Sequence, residues 1–250
     1  RRCGIISNGI RLFSMRLHDK TAFQFSGGRD SLAALYFLKD YWKQFTVYHL
    51  DTGDQFPETR VIVSKVEAVF PRFVRVSSPR AEVWKQFGMP TDLLPSPNTL
   101  LGKMGGNGGV KLADRFLCCW YSVMQPMHER MLADGITMII RGHKNVDYTP
   151  PVKSGAEMAG MTFYYPIEDW TADQVMAYLK AQGVEPAPFY AFGMKTTPEC
   201  MNCTAWWDDG RGAYLKQHHP REWTAYRAKL GTIKAAIKMQ LVNLDVEMRR

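Results

Sequence analysis

The run Thr21-Ala22-Phe23-Gln24-Phe25 passes directly into Ser26-Gly27-Gly28-Arg29-Asp30-Ser31, and this junction constrains the fold more than any other segment. The first five residues read as a short buried strand. Beyond the glycine pair, Leu32, Leu35, Tyr36 and Leu38 recur at helical spacing between Asp30 and Trp42. A second strand follows at Thr46–Leu50, a helix over residues 58–70 and a third strand at Phe73–Val76. Strand–helix–strand–helix–strand predicts parallel strands joined by right-handed crossovers.

The later chain extends the pattern. Helix is expected from about Ala113 to Ala133, a fourth strand at Thr137–Ile140 and a fifth at Met161–Tyr165. Thr171-Ala172-Asp173-Gln174 has the form of a capping box opening another helix. Pro220 begins a further one, with a last helix from about Gly231. Residues 88–110 break the rhythm with Gly88, Pro90, Pro95, Pro97 and a glycine cluster from Gly105 to Gly109, so a long mobile loop or active-site lid is expected there. The expected fold is α/β: an open, mainly parallel five-stranded sheet flanked by helices, Rossmann-like, with a helical C-terminal extension. Residues 1–197 form the nucleotide-binding domain in this reading. Residues 198–250 carry a Cys-x-x-Cys segment and a basic helical extension packed on it.

Composition narrows the setting. Of the 250 residues, 46% are hydrophobic and 22% charged, enough apolar material for a core. No apolar run nears the roughly 20 residues of a membrane span, and no leader pattern is evident, so a cytoplasmic protein without a membrane partner is expected. The net charge of +8 is concentrated at the end: nine Lys/Arg against three Asp/Glu from Arg211 to Arg250. Such a tail either docks nucleic acid or another polyanion, or is a solvated helix face.

A glycine pair at the C-terminal end of a strand lets the backbone turn tightly and approach a ligand. The helix that follows directs its free N–H groups and positive dipole end at the turn. Ser26 and Ser31 add hydroxyl donors, Gly27, Gly28 and Arg29 complete the cradle, and Asp30 can hold Mg²⁺ against phosphate oxygens. The pattern predicts a phosphate-binding site.

Five cysteines are too few, and odd in number, for a secreted disulfide framework. Cys118-Cys119 and Cys200-Met201-Asn202-Cys203 instead suggest a metal site, since Cys-x-x-Cys lets two thiolates converge on one centre. Adjacent helical cysteines point about 100° apart, awkward for tetrahedral zinc and tolerable for a larger cluster. Zinc, a cluster and buried structural thiols all stay open on the residues alone. Cys3 has no evident partner.

The six-residue turn matches the Ser-Gly-Gly-x-Asp-Ser signature of the PP-loop ATP pyrophosphatases. Asp51-Thr52-Gly53 followed by Phe56-Pro57-Glu58-Thr59 resembles the phosphoadenosine phosphosulfate (PAPS) reductase family, as does Pro166-Ile167-Glu168-Asp169-Trp170-Thr171. The resemblance implies the adenine nucleotide alpha-hydrolase-like fold and brings Asp51 into the nucleotide site. It also implies that Lys144, in Gly142-His143-Lys144, takes the place of an arginine that contacts the nucleotide's anionic group. Cys-Cys, six residues and Pro126, with the later Cys-x-x-Cys, resembles iron–sulfur adenylylsulfate (APS) reductases. That implies a 4Fe–4S cluster on Cys118, Cys119, Cys200 and Cys203, with zinc the alternative. The family's basic pair beside the cluster is here Ser122-Val123, and its C-terminal Glu-Cys-Gly nucleophile has no counterpart.

The complete signature points first to cleavage of ATP-Mg²⁺ into AMP and pyrophosphate, coupled to sulfur chemistry at a cluster, with Asp30 and Lys144 as catalytic groups. APS or PAPS reduction with an external thiol is the alternative. A non-catalytic nucleotide-binding or nucleic-acid-binding accessory protein is the third reading, and a homo-oligomer is left open.

Overall fold

The computed structural model describes residues 20–106, 108–147, 150 and 152–250. Cys3 lies outside the described residues. Six strands form the main sheet: β1 (Thr21–Gln24), β2 (Thr46–Asp51), β3 (Phe73–Ser77), β6 (Met138–Arg141), β7 (Glu157–Met158) and β8 (Met161–Tyr164), in the order β3-β2-β1-β6-β8-β7. β1 runs parallel to both β2 and β6, and β6 runs parallel to β8. Ala22, Phe23, Val47, Ile139 and Ile140 are fully buried. Such continuous burial is what a parallel sheet covered on both faces requires.

This is the expected α/β sheet with one strand more. The addition is β7, two residues paired antiparallel to β8, too short to leave a periodic trace. α1 (Arg29–Phe37) and α2 (Pro57–Val69) follow β1 and β2. Pro57 opens α2 at the position where a missing N–H costs nothing. α7 (Ala172–Ala181) begins with both halves of the Thr171/Gln174 capping box formed. Phe37 of α1 meets Trp170 and Tyr178 edge-on, at ring separations of 5.2 and 6.1 Å.

The chain divides into two units: one of the chain up to Asp51, Phe56–Val76 and Met127–Pro188, the other of Thr52–Gln55, Ser77–Pro126 and Phe189–Arg250. The first holds the main sheet. The second contains α3 (Arg80–Phe87), a parallel pair β4 (Met89–Thr91) and β5 (Leu112–Asp114), the short α4 (Leu100–Met104), α8 (Arg211–His218) and α9 (Pro220–Glu247). Its core gathers Leu112, Ile233 and Ala236, with Met89, Val110 and Ile237 packed around them.

Two local expectations change. The segment at 88–110 is built rather than loose. Gly88, at φ +100°, lets its backbone pass so close to Lys111 that a Cβ would lie 2.2 Å from that carbonyl oxygen. Gly102 abuts the Ser96 carbonyl in the same way, and the Asn98 amide donates to the Val110 carbonyl at 2.7 Å. Glycines that read as flexibility serve close backbone approach. The second change is at Gly231, where α9 continues unbroken: one helix stands where two are expected. α5 (Arg115–Cys119), a π-helical turn at Trp120–Met124 and α6 (Gln125–Ala133) make up the helix expected near 113–133.

Candidate functional site

Strand order fixes where a ligand can sit in the first unit. From β1 the chain moves outward to β2 and β3 on one side, then returns to β6 on the other side of β1. The carboxyl ends of β1 and β6 therefore flank a topological switch point, the usual crevice of open parallel sheets. The glycine turn follows β1 and Gly142-His143-Lys144 follows β6.

The turn is held from within. Ser26 Oγ lies 3.0 Å from Ser31 Oγ and accepts from the Gly28 N–H at 3.2 Å. Ser31 Oγ can also donate to the Gly28 carbonyl at 3.0 Å. Gly27 has φ +83°, and a Cβ there would lie 2.7 Å from Thr59 Cγ2 on α2. Gly28 caps α1 without a side-chain hydrogen bond, so the first turn of that helix offers backbone donors to an incoming anion.

The β6 segment packs directly against this helix start. A Cβ on Gly142 would come within 2.6 Å of the Asp30 carbonyl group and of Ser31 Cα. Lys144 is buried at 1% side-chain exposure, and its Nζ contacts Asp30 Oδ1 at 2.8 Å and Asp147 Oδ2 at 2.7 Å. The lysine is therefore a fixed cation tied to the turn, not a surface side chain. Asp51 ends β2, three residues past Tyr48, which pairs with Gln24. Its carboxylate is half-exposed and 3.9 Å from the Arg75 guanidinium. Ser26, Gly27, Gly28, Arg29, Asp30, Ser31 and Lys144 thus gather at one place, with Asp51 on the neighbouring strand end.

The four thiols lie in the second unit. Asp114 caps α5 by accepting from the N–H groups of Phe116 and Leu117 at 2.8 and 3.1 Å. Cys118 and Cys119 end α5, immediately before the π-helical turn, a distortion that recurs at functional sites. All four cysteines are free, with Cys118 buried and the others partly so. Burial pushes the Cys118 and Cys200 thiols up, and it carries Cys119 to about 12, with the Glu199 and Cys203 charges adding to the rise. The charge of Cys203 is felt by each of the other three. The donor set therefore suits a thiolate-loving metal that would neutralise it. Among the described residues, no three His, Cys, Asp or Glu side chains are already drawn together as a metal ligand group.

Polar clamps hold the Cys200–Cys203 hairpin. Thr52 Oγ1 donates to the Glu199 carbonyl at 2.5 Å. Asp54 accepts from Asn202 twice, from its backbone N–H at 3.0 Å and its amide at 2.8 Å. Arg211, 1% exposed, pairs with Asp209 at 2.5 Å and donates to the carbonyls of Cys203 and Ala205. Asp92 accepts from the N–H groups of Trp206 and Trp207 and pairs with Arg115 at 3.0 Å. Sequence reasoning missed Asp54, Asp92 and Arg211. Only Asp54, beside Asp51-Thr52-Gly53, carries a positional hint.

Among the described residues, no helix is long and apolar enough to cross a membrane. Residues 20–93 match the model of the phosphoadenosine phosphosulfate reductase domain. A phosphoadenosine 5'-phosphosulfate reductase of Gloeobacter violaceus is 27% identical over 213 residues, covering 82% of this chain and 79% of that protein. An adenosine 5'-phosphosulfate reductase of Streptomyces coelicolor is 29% identical over 165 residues, covering 63% of this chain and 61% of that protein. The solved PAPS reductase of Candida auris, a phosphate complex, aligns with a TM-score of 0.55 at 18% identity, over 76% of this chain and 86% of that one, a likeness of fold. With the glycine turn and its strand order, these matches make residues 20–93 similar to the phosphoadenosine phosphosulfate reductase domain, and the chain as a whole similar to PAPS and APS reductases.

Proposed function

We propose that this protein binds APS or PAPS in the cradle after β1 and acts as a sulfonucleotide reductase. The observation that carries the reading is the seat of Lys144: a buried cation, tied to Asp30, on a glycine segment pressed against the first turn of α1. Backbone donors and a fixed positive charge at one switch point suit a dianionic phosphosulfate. The curated relatives support a sulfonucleotide over ATP as the molecule turned over.

In the reaction, an external dithiol of the thioredoxin class supplies two electrons. A thiolate attacks the sulfuryl sulfur and the bond from that sulfur to the bridging oxygen breaks, so the nucleotide leaves as AMP from APS or as adenosine 3',5'-bisphosphate from PAPS. A second thiol then displaces sulfite, leaving a disulfide and two protons. Ser26, Gly28, Arg29 and Ser31 bind phosphate oxygens in this scheme, and Lys144 holds the anion. A Mg²⁺ ion arriving with a nucleotide would share Asp30 with Lys144. Cys118, Cys119, Cys200 and Cys203 would hold a 4Fe–4S cluster, with zinc as the competing metal. When bound, such a cluster supplies a redox-active iron centre.

Anaerobic protein given APS or PAPS with reduced thioredoxin is expected to release sulfite, and given ATP to release no pyrophosphate. Lys144→Gln is expected to weaken sulfonucleotide binding at least tenfold, about 1.4 kcal/mol. Pyrophosphate from ATP, without sulfite from either sulfonucleotide, overturns the reading in favour of ATP cleavage.

A further inference from the structure

Lys144 has more negative charge beside it than one ammonium neutralises. Its Nζ donates to Asp147 Oδ2 at 2.7 Å and lies 2.8 Å from Asp30 Oδ1, so the three groups carry one net negative charge. All three belong to the first unit. The two contacts differ in kind. Only the one to Asp147 has hydrogen-bond geometry; Asp30 Oδ1 is a buried oxygen that accepts no hydrogen bond among the described residues. They differ in setting as well. Asp30 lies in the first turn of α1, against which Gly142 is pressed. Asp147 closes a short turn of its own, its N–H donating to the Lys144 carbonyl at 3.1 Å, and its side chain is 48% exposed.

We propose that Asp147 is a specificity-determining residue of the nucleotide site: an internal anion that competes with the ligand's anion for Lys144. The inference rests on the sulfonucleotide reading given above, in which Lys144 holds that anion. An ammonium has three N–H donors and no acceptor, so every anion drawn to Lys144 meets the same short list of positions. Two carboxylates and an incoming phosphosulfate cannot all stay beside one positive charge, and exposure decides which of them yields. The lysine, buried at 1%, cannot follow a partner into water. Asp30 is held by the helix start. Asp147 is half in water already, so its pair is the cheaper one to separate, and the carboxylate recovers hydration as it leaves. A competitor that occupies the lysine about nine-tenths of the time weakens the ligand's apparent affinity about tenfold. Asp147 thus sets a threshold: ligands with enough charge displace it, and weakly charged ones do not.

The test is calorimetric binding of APS and PAPS to wild type, Asp147→Asn, Asp147→Glu, Lys144→Gln and the Lys144→Gln/Asp147→Asn double variant, with and without Mg²⁺. Asp147→Asn is expected to bind both sulfonucleotides about tenfold more tightly than wild type, a gain that loss of a merely structural contact does not produce. Asp147→Glu, which keeps the charge, is expected to stay near wild type. Adenosine, a neutral competitor, is expected to bind Asp147→Asn and wild type equally. In the Lys144→Gln background the gain should vanish. If Asp147→Asn lacks a cooperative thermal transition, Asp147→Ser is read in its place. Sulfonucleotide binding that is unchanged or weaker in Asp147→Asn overturns the competition and leaves the sulfonucleotide reading standing. The same gain without Lys144 overturns it too, since Asp147 would then repel the ligand directly. A gain that becomes a loss when Mg²⁺ is present also overturns it, assigning Asp147 to the metal. A wild-type chain that binds neither APS nor PAPS sinks the sulfonucleotide reading itself, and the role of Asp147 with it.

Discussion

The glycine turn of the first unit and the thiol site of the second are built by opposite means. The turn is one contiguous hexapeptide at the end of β1, and its internal bonds run among Ser26, Gly28 and Ser31, never more than five residues apart. The thiol site is drawn from four separated stretches, around Thr52–Asp54, Ser78–Trp84, Cys118–Ser122 and Glu199–Arg211. Backbone conformation shapes the first and buried charge shapes the second. A local site tolerates damage elsewhere in its unit but no added atom at its own backbone. A dispersed one survives small changes in shape and fails when a charge partner is removed.

The largest expected effect attacks the dispersed site where its charges are most buried. Burial pushes the Asp209 carboxyl up, and Arg211 is what opposes that rise. Arg211→Ala would take the guanidinium from Asp209, leaving it the backbone N–H of residue 211, and would remove the donor to the carbonyls of Cys203 and Ala205. Breaking a buried pair from one side costs about 3–5 kcal/mol. Urea unfolding should report that loss. Nucleotide affinity, a property of the first unit, should change far less than stability. An Arg211→Ala protein within about 1 kcal/mol of wild type would show that the clamp is ornamental.

The contiguous site is attacked at Gly142, the position where the second glycine segment meets it. A methyl group there would overlap the backbone of Asp30 and Ser31, which cannot move without dragging the start of α1. Overpacking against backbone costs about 1–3 kcal/mol. The first turn of α1 displaced by a fraction of an ångström should also weaken binding of a sulfonucleotide or ATP at least tenfold. Calorimetric titration of Gly142→Ala measures both. Unchanged affinity would separate the β6 segment from the nucleotide site and leave Lys144 as a structural pair only.

The same contrast explains what the sequence disclosed. Strand, turn and helix around Ser26–Ser31 were legible because periodicity and glycine placement are local signals, and the capping box at Thr171 was legible for the same reason. The sixth strand was hidden because two residues carry no period. The glycines at 88–110 suggested looseness because composition cannot distinguish a mobile glycine from one whose missing Cβ admits Lys111. The cysteines announced themselves by spacing, whereas their supports did not. Arg80, Asp92 and Arg211 are ordinary charged residues in a sequence with 56 of them, and only the fold shows which carboxylate each one meets.

The smallest effect probes a charge pair that neither site depends on. Arg75 on β3 holds Glu67 on α2 through bonds of 3.0 and 2.5 Å, and those bonds keep the Glu67 carboxyl below its usual range against the opposing pull of burial. Both side chains are 39% exposed, so water screens most of the attraction. Because the folded carboxyl is the stronger acid, its contribution is fully present above the unfolded value of roughly 4.3 and is lost as pH falls through the folded value. Glu67→Gln should therefore cost about 0.5 kcal/mol at neutral pH, less in high salt, with the gap to wild type closing below about pH 4. Arg75 is then left facing Asp51 alone, at 3.9 Å. Nucleotide affinity within twofold of wild type would show that the Arg75–Glu67 pair does not act on the nucleotide site through Asp51. A gap that stays constant down to pH 3 in the urea series would mean that Glu67 contributes through the packing of its side chain on α2, and that charge matters to this chain only where water is excluded from it.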